Sequence, residues 1–263
     1  GLFPSVQTAW LVSSEDFFDR EKLGINSLKL SAGYDASGND DIAISASRTS
    51  LAANRFLNGS VGLVLNNIGN TGVQWETTHR FRVGLDMATK KEMMGLSINF
   101  FKSYTDNLLT LKSLPEISGE GYYWSNDGSL ENTGIDLGVR FKLLNRKNWK
   151  WELGANTAAY KNEITALPDG DYTTKIYGAN VLTSVGRAAG VFYGYETDGV
   201  YATQQEAEET GLTLVANTGE ITPFGAGDMK FVDHVADGVI NEKDMVVIGD
   251  PNPDVYGNLY STL

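Results

Sequence analysis

Apolar and polar residues alternate with a period of two at several places in the first 160 residues, which calls for extended chain with one greasy and one wet face. In SLKLSAGY, Leu28, Leu30, Ala32 and Tyr34 oppose Lys29, Ser31 and Gly33. In HRFRVGLDMAT, Phe81, Val83, Leu85 and Met87 oppose Arg80, Arg82, Gly84 and Asp86. MMGLSINFFKSY sets Met94, Leu96, Ile98 and Phe100 against Gly95, Ser97 and Asn99. GIDLGVRFKLL sets Ile135, Leu137, Val139, Phe141 and Leu143 against Asp136, Arg140 and Lys142. WKWELGANTAAY sets Trp149, Trp151, Leu153 and Ala155 against Lys150, Glu152 and Asn156. SVQTAWLV, which groups Val6, Thr8, Trp10 and Val12, makes a sixth strand. A helical apolar stripe is confined to short pieces such as EDFFDREKL and QQEAEE.

Two all-β architectures accept this pattern. A soluble sandwich turns the apolar faces inward onto a second sheet. An outer-membrane barrel turns them outward to lipid and keeps the polar face for a wet lumen. Loop length separates the two. Tight turns at Thr89–Glu92 and Asn145–Asn148 join strands 76–88 to 93–104 and 134–144 to 149–160. The connections at the other end are long: roughly residues 36–74, 105–132 and everything after about 161. Short turns on one side and long loops on the other are the barrel pattern, and such loops are uncommon in compact soluble domains. On the apolar parity, Trp10, Trp149 and Trp151 fall near the tight-turn end, and Tyr34, Trp75 and Tyr104 near the other. Two aromatic belts suit the two headgroup regions of a bilayer. His79, on the same parity, reads as an interfacial residue.

The formal charge of −12 excludes nucleic acid as a partner, since phosphate binding needs a basic footprint, and it disfavours docking on an anionic membrane surface. With no cysteine and two histidines, a disulfide scaffold, a thiolate zinc site and a multi-histidine metal centre are all ruled out. No run approaches the roughly 18 apolar residues of a transmembrane helix. The opening GLFPSVQTAW reads like the interior of a longer protein, so a fragment is expected. No carboxylate pair stands out for catalysis: Asp40–Asp41 and Glu206, Glu208 and Glu209 read as solvated charges, and no enzyme is expected.

DHVADGVINEKD, residues 233–244, places Asp233, Asp237, Gly238, Asn241 and Asp244 at the first, fifth, sixth, ninth and twelfth positions of an EF-hand loop. The third position is Val235, the twelfth is Asp in place of Glu, and no pair of amphipathic helices flanks the loop. Two readings remain. Asp233, Asp237, the Val239 carbonyl, Asn241 and Asp244 offer about five oxygens to a weak calcium site, where calcium takes 6–8. Alternatively, the same carboxylates cap backbone N–H groups in an Asx- and Gly-rich turn. Calcium is the one cofactor the sequence raises.

The run SLPEISGEGYYWSNDGSLENTGIDLGVRF, followed by WKWELGANTAAYKNEITALP, resembles the barrel of SusC/RagA-like TonB-dependent transporters. Phe101 to Leu109, Trp124 through Gly134, Trp151, Asn156 and Asn162 to Leu167 follow that family's motifs in order. GLFPSVQTAW, SAGYDASGNDDI, FYGYETDGVY and GDMKFVDHVADGVINEKDMVVIGDPNPDVYG add collinear matches over nearly the whole chain. The family's dYYxkxT strand is altered here to Phe100-Phe101-Lys102-Ser103-Tyr104-Thr105, which changes a wall residue only.

The resemblance implies an antiparallel arc of a large transmembrane β-barrel with long extracellular loops, in the bacterial outer membrane. Residues 1–160 would give barrel strands, 161–250 an extracellular excursion, and 251–263 the start of a further strand. It also implies a plug, import of oligosaccharides or peptides, coupling to the TonB complex, and a SusD-like surface lipoprotein as partner. The energy-coupling parts are expected outside these residues. Arg80, Arg82, Asp86, Asn99, Arg140, Lys142 and Glu152 would then face the lumen, and Tyr122, Tyr123 and Trp124 would be aromatic candidates outside the membrane. The alternative is a secreted glycan-binding sandwich in which those three aromatics stack on sugar rings.

Overall fold

The computed structural model of the protein describes residues 1–55, 59–114, 122–126, 128–168, 170–215 and 219–263. In chain order, β1 (Ser5–Leu11) leads through the one-turn helix α1 (Arg20–Leu23) to β2 (Ile25–Asn39). The hairpin β3 (Ser50–Arg55) and β4 (Val61–Asn67) precedes β5 (Glu76–Thr89) and β6 (Met94–Asp106). A second hairpin, β7 (Leu109–Ser113) and β8 (Tyr122–Asn126), precedes β9 (Ser129–Asn145) and β10 (Lys150–Ala166). Then come β11 (Tyr172–Ile176), β12 (Ala179–Thr183), β13 (Val191–Tyr195), β14 (Thr197–Val200), α2 (Gln204–Thr210), β15 (Thr213–Val215), β16 (Ile221–Pro223), β17 (Met229–Phe231), β18 (Val239–Ile240) and β19 (Met245–Gly249). The last strand is β20 (Tyr256–Thr262).

The chain divides into two compact units. The first, residues 1–172, 184–189 and 252–263, is built on a seven-stranded antiparallel sheet in the order β1-β2-β5-β6-β9-β10-β20. Its register puts like with like. Trp10 pairs with Leu30, Leu30 with Leu85, Leu85 with Ile98, Ile98 with Leu137 and Leu137 with Thr157. This apolar face stays open: Val83 is 58% exposed, Ile135 47% and Leu259 83%. A sandwich would cover it with a second sheet, so the soluble alternative fails on this face. From Leu28 to Ala36 the apolar parity of β2 runs about 27 Å along the strand. At the roughly 40° tilt of a membrane barrel that is about 21 Å of height, close to the hydrocarbon band.

Beyond the band the same parity turns charged. Lys102 and Glu131 form an ion pair at 2.7 Å, and Lys161 pairs with Glu163. Aromatics mark both limits. Trp10 donates its indole N–H to Glu15 at 2.8 Å and Trp151 to Ser261 at 2.9 Å. At the other end Tyr34 and His79 share a 2.8 Å hydrogen bond with their rings stacked. Each ring keeps a polar tip toward the headgroup level, as belt residues do.

The strands are longer than their alternation shows. β9 and β10 have 17 residues each, and they pair from the Asn145–Lys150 turn end out to Ser129 and Ala166. The extension was hidden because outside hydrocarbon neither face must be apolar, so the alternation fades while the ladder continues. Thr89 tightens the β5–β6 turn by accepting from Met94 N at 3.0 Å. Lys91 and Glu92 in that turn take left-handed backbone, at φ 58° and 54°. The EDFFDREKL piece gives only α1, whose N-cap Asp19 accepts from the N–H groups of Glu21 and Lys22 and whose C-cap is the left-handed Gly24.

The second unit, residues 173–183 and 190–251, has its own core of Tyr201, Ala207, Phe224 and Ile240, with Tyr195, Leu212, Leu214 and Phe231 packed against it. The sequence shows no period here, because strands of two to five residues are too short to carry one; the stretch nevertheless folds as a unit of its own. Thr203 caps α2 by accepting from Glu206 N, and Glu206 is paired with Lys230.

Because Leu137 lies in the middle row of the apolar face, Leu137→Arg in the full-length protein should cost about 2–4 kcal/mol of folding stability in a bilayer. Urea unfolding in vesicles measures it. Wild-type stability in the variant would show that this face does not meet lipid.

Candidate functional site

The face opposite the apolar band carries all seven charged or amide candidates named from the sequence, since they share one strand parity. Cross-strand register decides their partners. Asp86 lies opposite Lys29 on β2 and Ser97 on β6; Lys29 Nζ reaches its carboxylate at 2.7 Å and Ser97 Oγ donates to it at 3.0 Å. Asn99 Nδ2 continues the chain by donating to Ser97 at 3.3 Å. Arg80 is held by Asp35 at 3.3 Å, Lys142 by Glu92 in the β5–β6 turn at 2.6 Å, and Arg140 stands 3.9 Å from Glu152. Among the described residues Arg82 makes no ion pair; it is exposed, opposite Gly33 and Phe101. These pairs are a quarter to a half exposed, so each contributes at most about 1 kcal/mol. Their effect is to fix where polar groups point.

Two recesses follow from this layout. One, of about 290 Å³, brings Asp86 and Arg140 together with Ser97 and Asn156 beside bare backbone at Gly95 and Gly138. The other, of about 380 Å³, gathers Arg82 and Asn99 with Gln7, Lys29 and Asp35. Lys29, Asp35, Ser97 and Asn156 are not among the site candidates named from the sequence. Their parity was visible, but their nearness to Asp86, Arg80 and Arg140 depends on which strands pair. Two glycines on this face let rings lie flat against the sheet. A Cβ on Gly134 would sit 2.5 Å from Phe101 and 2.9 Å from the Ala159 carbonyl, and one on Gly154 would sit 2.3 Å from Tyr260.

Tyr122, Tyr123 and Trp124 are consecutive residues of β8, so Tyr123 and Trp124 point to opposite faces of that strand. Tyr123 and Trp124 therefore do not share a platform, and the side chain of Tyr122 lies outside the described residues. Both Tyr123 and Trp124 are half-buried. The Trp124 carbonyl accepts from Asn70 Nδ2 at 3.1 Å, and Asn126 is bonded to both the N–H and the carbonyl of Gln74, which ties this hairpin to the segment before β5.

In the 233–244 loop the carboxylates serve the backbone. Asp233 accepts from Ala236 N at 2.7 Å and Gly238 N at 2.9 Å, and Asp237 accepts from Val239 N at 3.0 Å. The Val239 carbonyl accepts from Asn241 Nδ2, and Asn241 and Asp244 form a capping box around Glu242–Asp244. Asp244 is fully buried and accepts from Val235 N at 3.2 Å and Asn241 N at 2.9 Å. These are the bonds of a capped, Asx- and Gly-rich turn.

Burial pushes the Asp244 carboxyl up, but hydrogen bonds from the N–H groups of Asn241, Val235 and His234 outweigh it and hold the group below the usual carboxylate value. A lowered folded pKa contributes stability that is complete above the unfolded value of about 3.9 and lost as pH falls through the folded value. Asp244→Asn should raise amide exchange at Val235 and Asn241 on the order of tenfold at neutral pH. It should also remove the acid loosening of this loop below about pH 4. Exchange measured by mass spectrometry from pH 3 to 7 tests both, and unchanged protection would contradict this account of the loop.

Comparison with known proteins agrees with this strand architecture. Residues 7–228 match the family model described as TonB dependent receptor-like, beta-barrel. The chain is 31% identical to TonB-dependent receptor P3 of Formosa agariphila over 96% of its own length and 26% of that protein's. It is 26% identical to TonB-dependent receptor SusC of Bacteroides thetaiotaomicron over its whole length, again 26% of the relative. In structure it resembles the RagAB peptide importer in the closed-closed state, with a TM-score of 0.71, 21% identity, and 99% of this chain matched to 27% of that one. The chain thus spans about a quarter of the length of these relatives. With an open apolar band, a polar opposite face and this match over most of its residues, the chain belongs to the TonB-dependent receptor β-barrel family of the bacterial outer membrane, as an arc of the barrel wall.

Proposed function

We propose that this chain is a wall segment, with its outer loops, of a SusC/RagA-type transporter that imports oligosaccharides or peptides across the outer membrane. In this reading the polar face lines the lumen, and the folded unit between β10 and β20 lies on the cell surface. A SusD-like lipoprotein caps the entrance, and TonB supplies energy through parts of the receptor beyond this stretch. The observation that carries the reading is the split of one seven-stranded sheet into an open apolar face and an ion-paired polar face. A wall that hydrates a wide passage needs that split, whereas a binding module in water does not. The relative named SusC and the fold shared with a peptide importer support a nutrient cargo and leave both classes to experiment.

Arg82 and Asn99 are the wall residues to watch, because they share a recess and Arg82 has no ionic partner among the described residues. Deleting the full-length gene should abolish growth on one class of oligosaccharide or peptide as sole nutrient, and loss of TonB should do the same. Arg82→Ala in the full receptor should lower uptake several-fold at unchanged surface level. Growth of the deletion strain on every oligosaccharide and peptide of a defined panel would defeat the transport reading.

A further inference from the structure

At the long-loop end of the seven-stranded sheet, the apolar parity of β6, β9 and β10 carries charge sorted by height. Phe100, Ile135 and Ala159 close the apolar band in one cross-strand row. Lys102, Thr133 and Lys161 form the next row, and Tyr104, Glu131 and Glu163 the one beyond it. Two lysines therefore stand nearest the band, and two carboxylates stand one step farther out. Glu131 and Glu163 are direct cross-strand partners, which costs stability because like charges face each other. Interleaving the two signs within each row would avoid that cost. Each carboxylate is instead held from below. Lys102 Nζ donates to Glu131 Oε1 at 2.7 Å and lies over the Tyr104 ring, and Lys161 donates to Glu163. Below Lys161 opens a recess of about 390 Å³, bounded by Phe100, Thr133, Ile135, Ala159, Lys161 and Asp254.

We propose that these two rows bind a membrane phospholipid with a phosphoethanolamine headgroup. Its phosphate lies at Lys102 and Lys161, its ammonium at Glu131 and Glu163, and one acyl chain in the recess. The order of charge selects the occupant. In such a lipid the phosphate sits next to the acyl chains and the ammonium beyond it, which is the order of the lysine and glutamate rows. One two-residue step along a strand is about 7 Å, or about 5 Å of height at the tilt of a membrane barrel. Two carbons carry the phosphate-to-ammonium span across the same few ångströms. A headgroup with only negative charge would meet the lysines but be repelled by the carboxylates above them. An ammonium has three donors, so Lys102 can keep Glu131 and still donate to a phosphate. What lies against this face follows from the sheet. β6, β9 and β10 are paired on both sides within it, so the remaining wall joins at β1 and β20 and leaves the bilayer against the apolar parity. The inference needs the barrel wall and its lipid face, and no particular cargo.

The test is native mass spectrometry of the full-length receptor in detergent, with equal amounts of phosphatidylethanolamine and phosphatidylglycerol. The wild type should retain phosphatidylethanolamine about fivefold over phosphatidylglycerol. The quadruple variant Lys102→Glu, Glu131→Lys, Lys161→Glu and Glu163→Lys keeps both ion pairs and the net charge but inverts the rows, and it should lose that preference. Glu131→Gln with Glu163→Gln leaves the lysines uncompensated and should turn the preference toward phosphatidylglycerol. Gel migration of unboiled samples shows that each barrel is folded. Phosphatidylethanolamine with a diazirine in its acyl chain should label the peptides that hold Ile135 and Ala159. Equal retention of both lipids by the wild type, an unchanged preference in either folded variant, or labelling confined to other peptides would each overturn the proposal. So would wild-type barrels that associate through this face and exclude lipid. Wild-type stability of Leu137→Arg would instead remove the lipid face itself, and this site with it.

Discussion

Backbone hydrogen bonding in a medium without water is the constraint from which the rest follows. In hydrocarbon an unpaired N–H or C=O has no solvent to turn to, so extended chain can cross only within a continuous ladder. The strands β2, β5, β6, β9 and β10 are each paired on both sides, over most of their length, in one antiparallel sheet. β1 and β20 are the outer strands of that sheet, paired on one side among the described residues. An arc with two such edges is a piece of a closed wall, because closure is how a membrane sheet removes its edges.

That ladder also settles the chemistry of the two faces. A period of two commits alternate residues to lipid and lumen, and a register slip of one residue would exchange the faces. The lipid side gains from an unbroken apolar band, and its sequence is correspondingly plain. The polar face need only stay wet, and it carries modest ion pairs such as Lys29–Asp86 and Arg80–Asp35 that orient polar groups at little gain in stability. Phe101 lies over Gly134 and Tyr260 over Gly154, covering bare backbone of the sheet on this face.

Where the alternation ends the rules change. The long strands continue as ladders with little alternation, and residues 173–183 and 190–251 fold on a small aromatic core of their own. There the acidic loop at 233–244 is organised by carboxylates that satisfy backbone N–H groups, with buried Asp244 at its centre. Short strands, caps and Asx turns replace periodicity as the organising devices. For the same reason this region was the least readable from sequence: nothing in FYGYETDGVY or GDMKF shows a period long enough to mark a strand.

The amino-acid sequence alone determined the strand class, the two faces and the tight-turn end of the sheet, because alternation and turn length are local and each residue's side is fixed by its parity. It also placed Arg80, Arg82, Asp86, Asn99, Arg140, Lys142 and Glu152 on one face. Only the tertiary structure decided which of them meet. Asp86 and Arg140 share a recess, Lys142 goes to Glu92 in a turn, and Asp35 takes Arg80, because strands far apart in sequence lie side by side. It likewise decided that Tyr123 and Trp124 face apart and that Tyr177 sits exposed at a left-handed turn. Parity is a property of one strand, whereas contact is a property of the register between two.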